Sequence, residues 1–414
     1  MQSLINNREE MVMKFKRTDL CVFVAGAMLA MSGTAAASGF ALIEQSGSGL
    51  GNAYAGGAAG AEDASTIFFN PAGMSRLNGK QVVVAGNFIK PSAKFTGTGL
   101  PGTDMGGDAG SLALVPNAYF AIEINPAMRV GLGINAPFGL QTEYDPLWVG
   151  RVHAIKSKIE TVNLNPSVAY QVNDALSIGA GVNYQRINGE LTSFAGVPGT
   201  STVKGNDSAW GYNFGALYNI SPQTRLGFSY RSAIDYTLTG DVAFSAAPAG
   251  NGPVTLAIKM PDSFSFSAFH KLDEKWDVMG DLSRTGWGTF QQLNVVRTTG
   301  ATLMSVQENW KETWRISIGA NHHYSEQWTS RVGLAYDQAP VSDAFRTARI
   351  PDNDRIWLAL GGQYKPSKES AIDFGYAHLF VKDASINSTA AAPALVGTYK
   401  NSVDILSVQY TYSF

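Results

Sequence analysis

The stretch SVDILSVQYTYSF, residues 402–414, alternates apolar and polar side chains to its last residue. Leu406, Val408 and Tyr410 are separated by small or amide-bearing residues such as Ser407. Successive side chains of a β-strand point to opposite faces, so this segment has one apolar face and one polar face. The pattern predicts a strand that separates two different environments.

The same alternation recurs along the chain, and turns of two kinds divide the segments. It is clear at residues 176–184, 210–218, 314–318, 328–336 and 372–376. Short polar turns begin at residues 123, 171, 219, 271, 324 and 365. Longer polar or glycine-rich stretches lie near 91–112, 137–159, 188–207, 236–255, 288–305, 338–353 and 382–401. Six turns and seven loops predict fourteen strands, with both ends of the meander on the side of the short turns.

An even number of antiparallel strands, with short turns at one end and longer loops at the other, is typical of an outer-membrane β-barrel. Closure gives every backbone group a partner, which lipid cannot supply. The alternative is a soluble β-sandwich, whose apolar faces would meet in a dry core. That fold explains neither the regular asymmetry of the turns nor the aromatic residues at strand ends. The sequence therefore predicts an all-β transmembrane barrel of fourteen strands.

The beginning of the chain has the three parts of a secretory signal peptide. Basic residues at 13–17 precede the short apolar run LCVFVAGAMLAMSG and a tail of small residues, so residues 1–37 are expected to be removed. The single cysteine, Cys21, lies in this segment, and the formal net charge of the whole chain is −2. The mature chain therefore offers no disulfide or cysteine metal site, and its charge argues against a nucleic-acid partner.

Catalytic patterns are missing from the sequence. No Gly-x-Ser-x-Gly elbow, phosphate-binding loop or His-x-x-x-His metal pair occurs, so we expect neither an enzyme, nor a metal, nor a cofactor. No later segment has the ~18 apolar residues of a spanning helix.

Charged residues on the polar face of the strands are expected to line the lumen. They are Arg129, Arg225, Arg231, Lys311, Arg315, Arg331, Arg355, Asp281, Asp337 and Asp373. We expect most of them to be solvated or to pair with one another, and to fix the shape of the barrel. Lys311 and Arg315, four residues apart in WKETWRISIG, are predicted to share the inner face as a cationic pair that can receive a carboxylate.

Residues 38–79 differ from the rest of the chain, because they are rich in glycine and alanine and contain the turn-punctuated stretch DASTIFFNPAGM at 63–74. Such a segment cannot form its own core. The sequence predicts a hatch that is ordered by packing inside the lumen, with a turn at Asn70-Pro71, ahead of a barrel at 80–414. The alternative is a disordered periplasmic tail.

The hatch segment resembles the N-terminal plug of the FadL family, outer-membrane transporters of long-chain fatty acids and other hydrophobic compounds. The similarity continues through VPNAYFAIEINPAMRVGLGINAPFGLQTEY, KIETVNLNPSVAY, GTFQQL, WKETWRISIGA and IPDNDRIWLALGG. It implies a fourteen-stranded barrel with a hatch that carries an Asn-Pro-Ala motif, here Asn70, Pro71 and Ala72. It also implies ligand capture among the extracellular loops, transfer to a pocket beside the hatch, and sideways exit through a kinked third strand.

The resemblance also suggests roles for individual residues. Ligand contacts are expected at Phe40, Leu42, Lys311 and Arg315. Pro137 and Gly139 occupy the region of the strand-3 kink, and the alternative for both is the onset of a loop. Asp352, Asp354 and Arg355 of IPDNDR are expected to stabilise contacts of a loop or of the hatch. The terminal Phe414 is expected to be recognised by the outer-membrane barrel assembly machinery, with a monomer as product.

Four functions remain open at this stage. Passive import of long-chain fatty acids is the first, and import of toluene-like aromatic hydrocarbons is the second, because the FadL family includes both. The loops at 188–207 and 236–255 are short for a capture groove. A general aqueous porin would instead leave the lumen open. An outer-membrane enzyme acting on lipids would need a Ser and His paired in space.

Overall fold

A computed structural model describes residues 38–101, 104–196 and 199–414, and the predicted signal peptide at 1–37 lies outside these ranges. Within these ranges the chain forms twenty β-segments. They are β1 Lys80–Thr98, β2 Ala113–Asn125, β3 Met128–Asn135, β4 Gly139–Glu143, β5 Lys156–Gln171, β6 Leu176–Phe194, β7 Thr200–Asn219, β8 Thr224–Arg231, β9 Ile234–Phe244, β10 Gly252–Met260, β11 Ser263–Lys271, β12 Trp276–Thr285, β13 Gln292–Arg297, β14 Thr302–Gln307, β15 Thr313–His323, β16 Trp328–Asp337, β17 Arg355–Tyr364, β18 Ser370–Val381, β19 Ala384–Ser388 and β20 Leu395–Ser413.

Fourteen barrel strands result, because six pairs of consecutive segments are single strands with a short interruption. These pairs are β3–β4, β8–β9, β10–β11, β12–β13, β14–β15 and β18–β19. All ladders are antiparallel, and β20 pairs with β1 from Gln81 opposite Ser413 to Thr98 opposite Val396. This last ladder closes the sheet. The predicted fold class, a fourteen-stranded barrel, is therefore confirmed.

The two faces of the wall differ as the alternation predicts. On β20, Leu406 and Val408 are about half exposed on the outer face, whereas Ser407 and Gln409 are fully buried on the inner face. Among the residues of the described ranges, no helix is long and apolar enough to cross a membrane.

The two ends of the barrel correspond only partly to the predicted turns and loops. The six short turns lie where the sequence indicates, for example between Gln171 and Leu176. The predicted loops at 188–207, 236–255 and 288–305 are wrong in length, because strands run through most of these residues. Beyond the apolar band the outer face of β9 becomes polar, as at Thr237 and Thr239, while apolar residues such as Leu238 face inward. The pattern of a lipid-facing strand therefore ends there, although the backbone ladder continues.

Three longer connections remain at this end, at residues 99–112, 144–155 and 338–354. The connection 144–155 is packed by its own aromatic residues, since the rings of Tyr144 and Trp148 stack at 3.9 Å. The hydroxyl group of Tyr144 donates to the carbonyl of Ala348 in the connection 338–354. These two connections therefore fold against each other over the upper barrel.

The hatch precedes β1 and fills part of the lumen. It contains the short helices Gly57–Gly60 and Thr66–Phe69 and the 3-10 turns Leu50–Asn52 and Pro71–Arg76. Its side chains contribute to buried clusters with the inner wall, such as Leu50 with Trp357 and Ile405. The predicted hatch inside the lumen is present.

Candidate functional site

Five arginines of the wall each donate a hydrogen bond to a backbone carbonyl of the hatch. The pairs are Arg129 with Leu77, Arg225 with Ala59 and Gly60, Arg231 with Phe68, Arg315 with Ala53 and Arg331 with Ser48, at 2.6–3.2 Å. Mutual pairing of the lumen charges, which the sequence suggested, is thus wrong for most of these arginines. The guanidinium groups instead satisfy carbonyls that the irregular hatch leaves without backbone partners.

Arg331 has the most extensive set of partners. Its guanidinium also contacts Asp373 of the wall at 2.7 Å and Glu62 of the hatch at 2.8 Å, and Arg331 and Asp373 are both buried. A buried charge is tolerated when it is paired and hydrogen-bonded. Arg331 therefore joins the hatch to two neighbouring regions of the wall.

Asn70 organises the turn at the centre of the hatch. Its side-chain oxygen accepts from the N–H of Ala72, and its amide group donates to the carbonyls of Ala58 in the hatch and Ala216 in the wall. Pro71 begins the following 3-10 turn, where its missing N–H is not needed. A Cβ at Gly215 of the wall would lie 2.0 Å from the Asn70 Oδ1 atom, so only glycine allows this approach.

The third barrel strand is interrupted between Asn135 and Gly139, the region of the predicted kink. The ladder between β2 and β3 ends at Ala118 opposite Ile134. β4 pairs with β5 on its other side. In the described part of the chain, β4 has no ladder with β2, so the wall has a gap beside the interruption.

The hatch occupies the strand position that this gap leaves open. The N–H of Leu42 donates to the carbonyl of Pro137 at 2.8 Å, and the N–H of Gly139 donates to the carbonyl of Phe40 at 2.9 Å. The Gln45 side chain donates to the carbonyl of Ala136 at 2.8 Å. The start of the hatch is therefore hydrogen-bonded to the kink as a short additional strand.

Phe40 is fully buried in an aromatic cluster directly above this pairing. Its ring centroid lies 4.5 Å from that of Trp287 and 5.6 Å from that of Trp310. The preceding N–H, of Gly39, donates to the carboxylate of Asp352 at 2.8 Å. Burial raises the pKa of Asp352, which the neighbouring Arg355 partly counteracts. Aromatic packing and one charge-assisted hydrogen bond thus hold the first described residues of the hatch.

Two cavities lie near Phe40 inside the barrel. Phe40 lines a narrow apolar cleft of about 60 Å³ together with residues such as Leu140, Ile187 and Leu238. Phe138, whose ring centroid lies 6.2 Å from that of Phe40, lines a larger cavity of about 160 Å³, to which Leu42 and Pro137 also contribute. The packed rings of Phe40 and Phe138 therefore connect the lining of the cleft with that of the cavity beside the kink.

A wider vestibule of about 370 Å³ lies toward the loop end, and it shares Leu191, Val203 and Arg349 with the cleft. The vestibule and the apolar cleft are therefore neighbouring spaces with a common boundary, and Phe40 contributes to the lining of the cleft.

Residues 28–414 match the family model described as outer membrane protein transport protein (OMPP1/FadL/TodX). The chain belongs to this family. The resemblance of the sequence to the FadL family is thereby confirmed, and the location of the chain is the bacterial outer membrane. The OMPP1/FadL/TodX family consists of transport proteins.

Members of the OMPP1/FadL/TodX family resemble the chain over most of its length. The long-chain fatty acid transport protein of Escherichia coli K12 is 30% identical over 90% of this chain and 94% of its own length. Outer membrane protein P1 of Haemophilus influenzae is 33% identical, with coverages of 86% and 89%.

Solved structures of the family have the same fold. A Pseudomonas aeruginosa FadL homologue superimposes with a TM-score of 0.85 at 27% identity, covering 91% of this chain and 99% of that one. The Ralstonia pickettii toluene transporter TbuX has a TM-score of 0.67 at 21% identity, with coverages of 90% and 100%, and supports the fold alone.

The FadL-type barrel brings most of the residues singled out in the sequence to one region. Phe40 and Leu42 meet Pro137 and Gly139 at the kink, as described above. Asp354 lies apart from the hatch, where it accepts from the N–H of Ala339 and stabilises the connection 338–354.

Lys311 and Arg315 do not form the predicted pair on the inner face. Arg315 is buried and stacks over Trp357 at 5.0 Å, whereas Lys311 is exposed and lines neither the cleft nor the cavity at the kink. The four-residue spacing assumes a continuous strand. The ladder is interrupted between Gln307 and Thr313, where Asn309 has a φ of 44°, so the alternation does not extend to Lys311.

Two charged residues at the cleft were missed in the sequence. Glu308 and Arg349 are both buried; Glu308 lies in the interruption between β14 and β15, and Arg349 lies in the connection 338–354, so neither is on an alternating face. No periodic signal could identify them. In the described ranges, no group of three or more His, Cys, Asp or Glu side chains is placed to hold a metal ion.

Proposed function

We propose that this chain imports hydrophobic molecules passively across the outer membrane, with long-chain fatty acids as the first candidates. The observation that carries the proposal is the pairing of hatch residues 40–42 with the kink at 137–139, which closes the gap in the wall. The fatty-acid assignment is supported by the Escherichia coli relative, whose name states that substrate.

The proposed route has three steps. A ligand enters the vestibule and passes into the apolar cleft. It then displaces Phe40, which opens the way to the cavity beside Pro137. Release of Leu42 from Pro137 frees the gap, and the ligand leaves sideways into the bilayer. Burial of apolar surface stabilises the ligand by about 25 cal/mol per Å² at each stage, so a route that avoids water is favoured.

The proposed roles of the other residues follow from their contacts. Asp352 and Arg355 hold the start of the hatch in its closed position. Asn70, Pro71 and Ala72 keep the centre of the hatch against the wall while the start moves. Arg315 lines the cavity at the kink and is placed to meet a carboxylate that has passed Phe40. No step needs a covalent reaction, so we propose a transporter without enzymatic activity.

Two statements about partners stay predictions. The chain ends at Phe414, whose side chain is exposed at the edge of the barrel and whose backbone pairs with Lys80. This exposed position suits recognition by the barrel assembly machinery. The barrel closes on itself through β1 and β20, which supports the prediction of a monomer.

Aromatic hydrocarbons are the second candidate ligands. Phe40 and Phe290 line the cleft, and the ring of Phe40 also packs against those of Phe138, Trp287 and Trp310. Such a cluster can accommodate a small aromatic ring in offset or edge-to-face contacts.

Uptake by cells or liposomes tests the proposal. Radiolabelled oleate, toluene and a small hydrophilic sugar would be compared for the intact chain and for a variant that lacks residues 38–79. We expect the intact protein to pass oleate or toluene but not sugar, and the deletion to admit sugar. An intact protein that passes sugar and neither hydrophobic compound would identify an aqueous porin instead.

A further inference from the structure

Arg349 lies at the boundary between the vestibule and the apolar cleft, and its side chain lines both. It belongs to the connection 338–354 and is buried. The carbonyl of Arg349 accepts from the hydroxyl group of Thr142, which fixes the backbone at this point. A molecule that enters the cleft from the vestibule must pass this guanidinium group.

The guanidinium group of Arg349 has neutral partners only. It donates to the carbonyl of Lys156 at 3.2 Å and to the hydroxyl oxygen of Ser157 at 3.0 Å, and it approaches the sulfur of Met304. Within the described ranges, no carboxylate lies within 4.0 Å of it. Burial lowers the pKa of Arg349 to about 10, so the group is still charged at neutral pH.

Glu308, the buried acid of the same cleft, forms no ion pair with Arg349 within 4.0 Å, although each group favours the charged form of the other at longer range. Its carboxyl group accepts from the indole N–H of Trp310 at 3.1 Å. Burial raises the pKa of Glu308 to about 8, so most of this group is protonated at neutral pH. The other two cations that reach the cleft have their own acids, since Lys158 pairs with Glu160 at 2.7 Å and Lys204 with Glu190 at 3.6 Å.

A buried cation without an anion is costly, and an incoming anion would relieve that cost. We propose that Arg349, with the hydroxyl group of Ser157, binds the carboxylate of a long-chain acid at the mouth of the cleft, while the alkyl chain lies against the apolar lining toward Phe40. This inference rests on the proposed import of hydrophobic molecules and specifies its ligand class. It favours carboxylic acids over neutral aromatic hydrocarbons.

Arg349 is therefore a specificity residue of the cleft. An alcohol of the same chain length would keep the apolar contacts but would lose the charge-assisted hydrogen bonds. Hydrogen bonds to charged groups contribute about 1.5–3 kcal/mol, which corresponds to roughly 10- to 100-fold in affinity.

Binding of palmitate and 1-hexadecanol to the purified full-length protein tests this proposal. We expect wild-type protein to bind palmitate at least ~10-fold more tightly than hexadecanol. Arg349→Gln should remove this preference and leave hexadecanol binding unchanged, and Arg349→Lys should restore part of it. Lys259→Gln removes an exposed cation that pairs with Asp235, and it should leave the preference intact.

Two results would overturn the inference. The first is equal binding of palmitate and hexadecanol by wild-type protein. The second is a palmitate preference that Arg349→Gln leaves unchanged while hexadecanol still binds. In both cases hydrophobic import would still stand, whereas failure of wild-type protein to bind either ligand or to take up oleate would reject the import function itself. Unchanged hexadecanol binding also shows that the variant cleft is folded.

Discussion

The backbone N–H of Leu42 lies 2.8 Å from the carbonyl oxygen of Pro137, so a hatch residue forms the hydrogen bond that a neighbouring strand would otherwise form. Proline cannot donate to a ladder, and here its carbonyl is satisfied by a segment outside the sheet. The gap in the wall is therefore closed only when the start of the hatch is in this position. Movement of either must affect the other.

A disulfide between hatch and kink should block uptake reversibly. Ala41 and Phe138 face each other in an antiparallel bridge, and the hydrogen bonds lie on either side of this pair. Such pairs have Cα atoms about 4.5 Å apart, within the range of a disulfide. Oxidised Ala41→Cys/Phe138→Cys protein should lose oleate uptake, and reductant should restore it. Each single cysteine variant is the control, and full uptake by the oxidised double variant would contradict the coupling.

Phe40→Ala should make the barrel leaky. The fully buried ring lines the cleft and packs against Phe138 of the cavity at the kink, and removal of a buried phenylalanine costs about 3–5 kcal/mol. The loss should fall on docking of the hatch start, because the barrel ladders do not depend on this residue. Planar bilayer recordings should show more frequent openings than for wild type. Phe380→Ala, an exposed outer-face residue, should behave like wild type.

Arg331→Gln should loosen the body of the hatch. Removal of one partner of a buried ion pair costs about 3–5 kcal/mol, because Asp373 and Glu62 would lose their cation. Limited proteolysis should then cleave the hatch faster. Arg284→Gln breaks the more exposed pair with Glu312 and should leave the cleavage rate close to that of wild type. Equal cleavage rates for the two variants would argue against a specific role of Arg331.

Gly215→Ala should displace the turn at Asn70. The new Cβ would lie 2.0 Å from the Asn70 Oδ1 atom, which is far below van der Waals contact. Gly280→Ala is a matched control, because its Cβ would meet its nearest atom at 3.7 Å. Hydrogen exchange of residues 66–76 should accelerate in the first variant only. Unchanged exchange would mean that the wall, and not the hatch, adapts to the methyl group.

Docking of the hatch should weaken as the pH rises from about 4.5 to 7. Burial raises the pKa of Glu44 from 4.5 to about 7. The backbone hydrogen bond of Glu44 and the charges of Arg355 and Arg315 partly counteract this rise in pKa, whereas the charge of Asp337 adds to it. Between pH 4.5 and pH 7 the Glu44 carboxyl group keeps its proton in the docked hatch but releases it in an undocked hatch. Each rise of one pH unit in this range therefore lowers the stability of the docked state by about 1.4 kcal/mol. Below pH 4.5 and above pH 7 the slope disappears.

Hydrogen exchange of residues 40–46 at several pH values measures this slope. Glu44→Gln cannot ionise and should show a much flatter dependence than wild type. A slope that persists in the variant would assign the effect to another group.

The barrel could be predicted from the sequence, because alternation is a local signal that repeats in every strand. The fourteen strands and the hatch inside the lumen follow from that signal and from the contrast at residues 38–79. Lys311 was misplaced, since an interruption of a strand has no periodic marker. Arg349 and Glu308 were missed for a related reason, because burial of a connection depends on tertiary packing.

The charges of the lumen were located correctly on strands such as β8 and β16, but their partners were not. The partners of Arg225 and Arg331 are carbonyl groups of the hatch. Every residue has a carbonyl, so no sequence pattern can indicate which one an arginine will bind.

The arginine contacts of the hatch also imply an order of assembly. The hatch precedes all the strands in the chain. The arginines that bind its carbonyl groups nevertheless extend from Arg129 on β3 to Arg331 on β16. The N–H of Gly47 in the hatch also donates to the side chain of Gln409 on β20. Contacts between residues so distant in sequence form late, because the intervening chain must first be ordered. The first part of the exported chain is therefore the last to reach its final position.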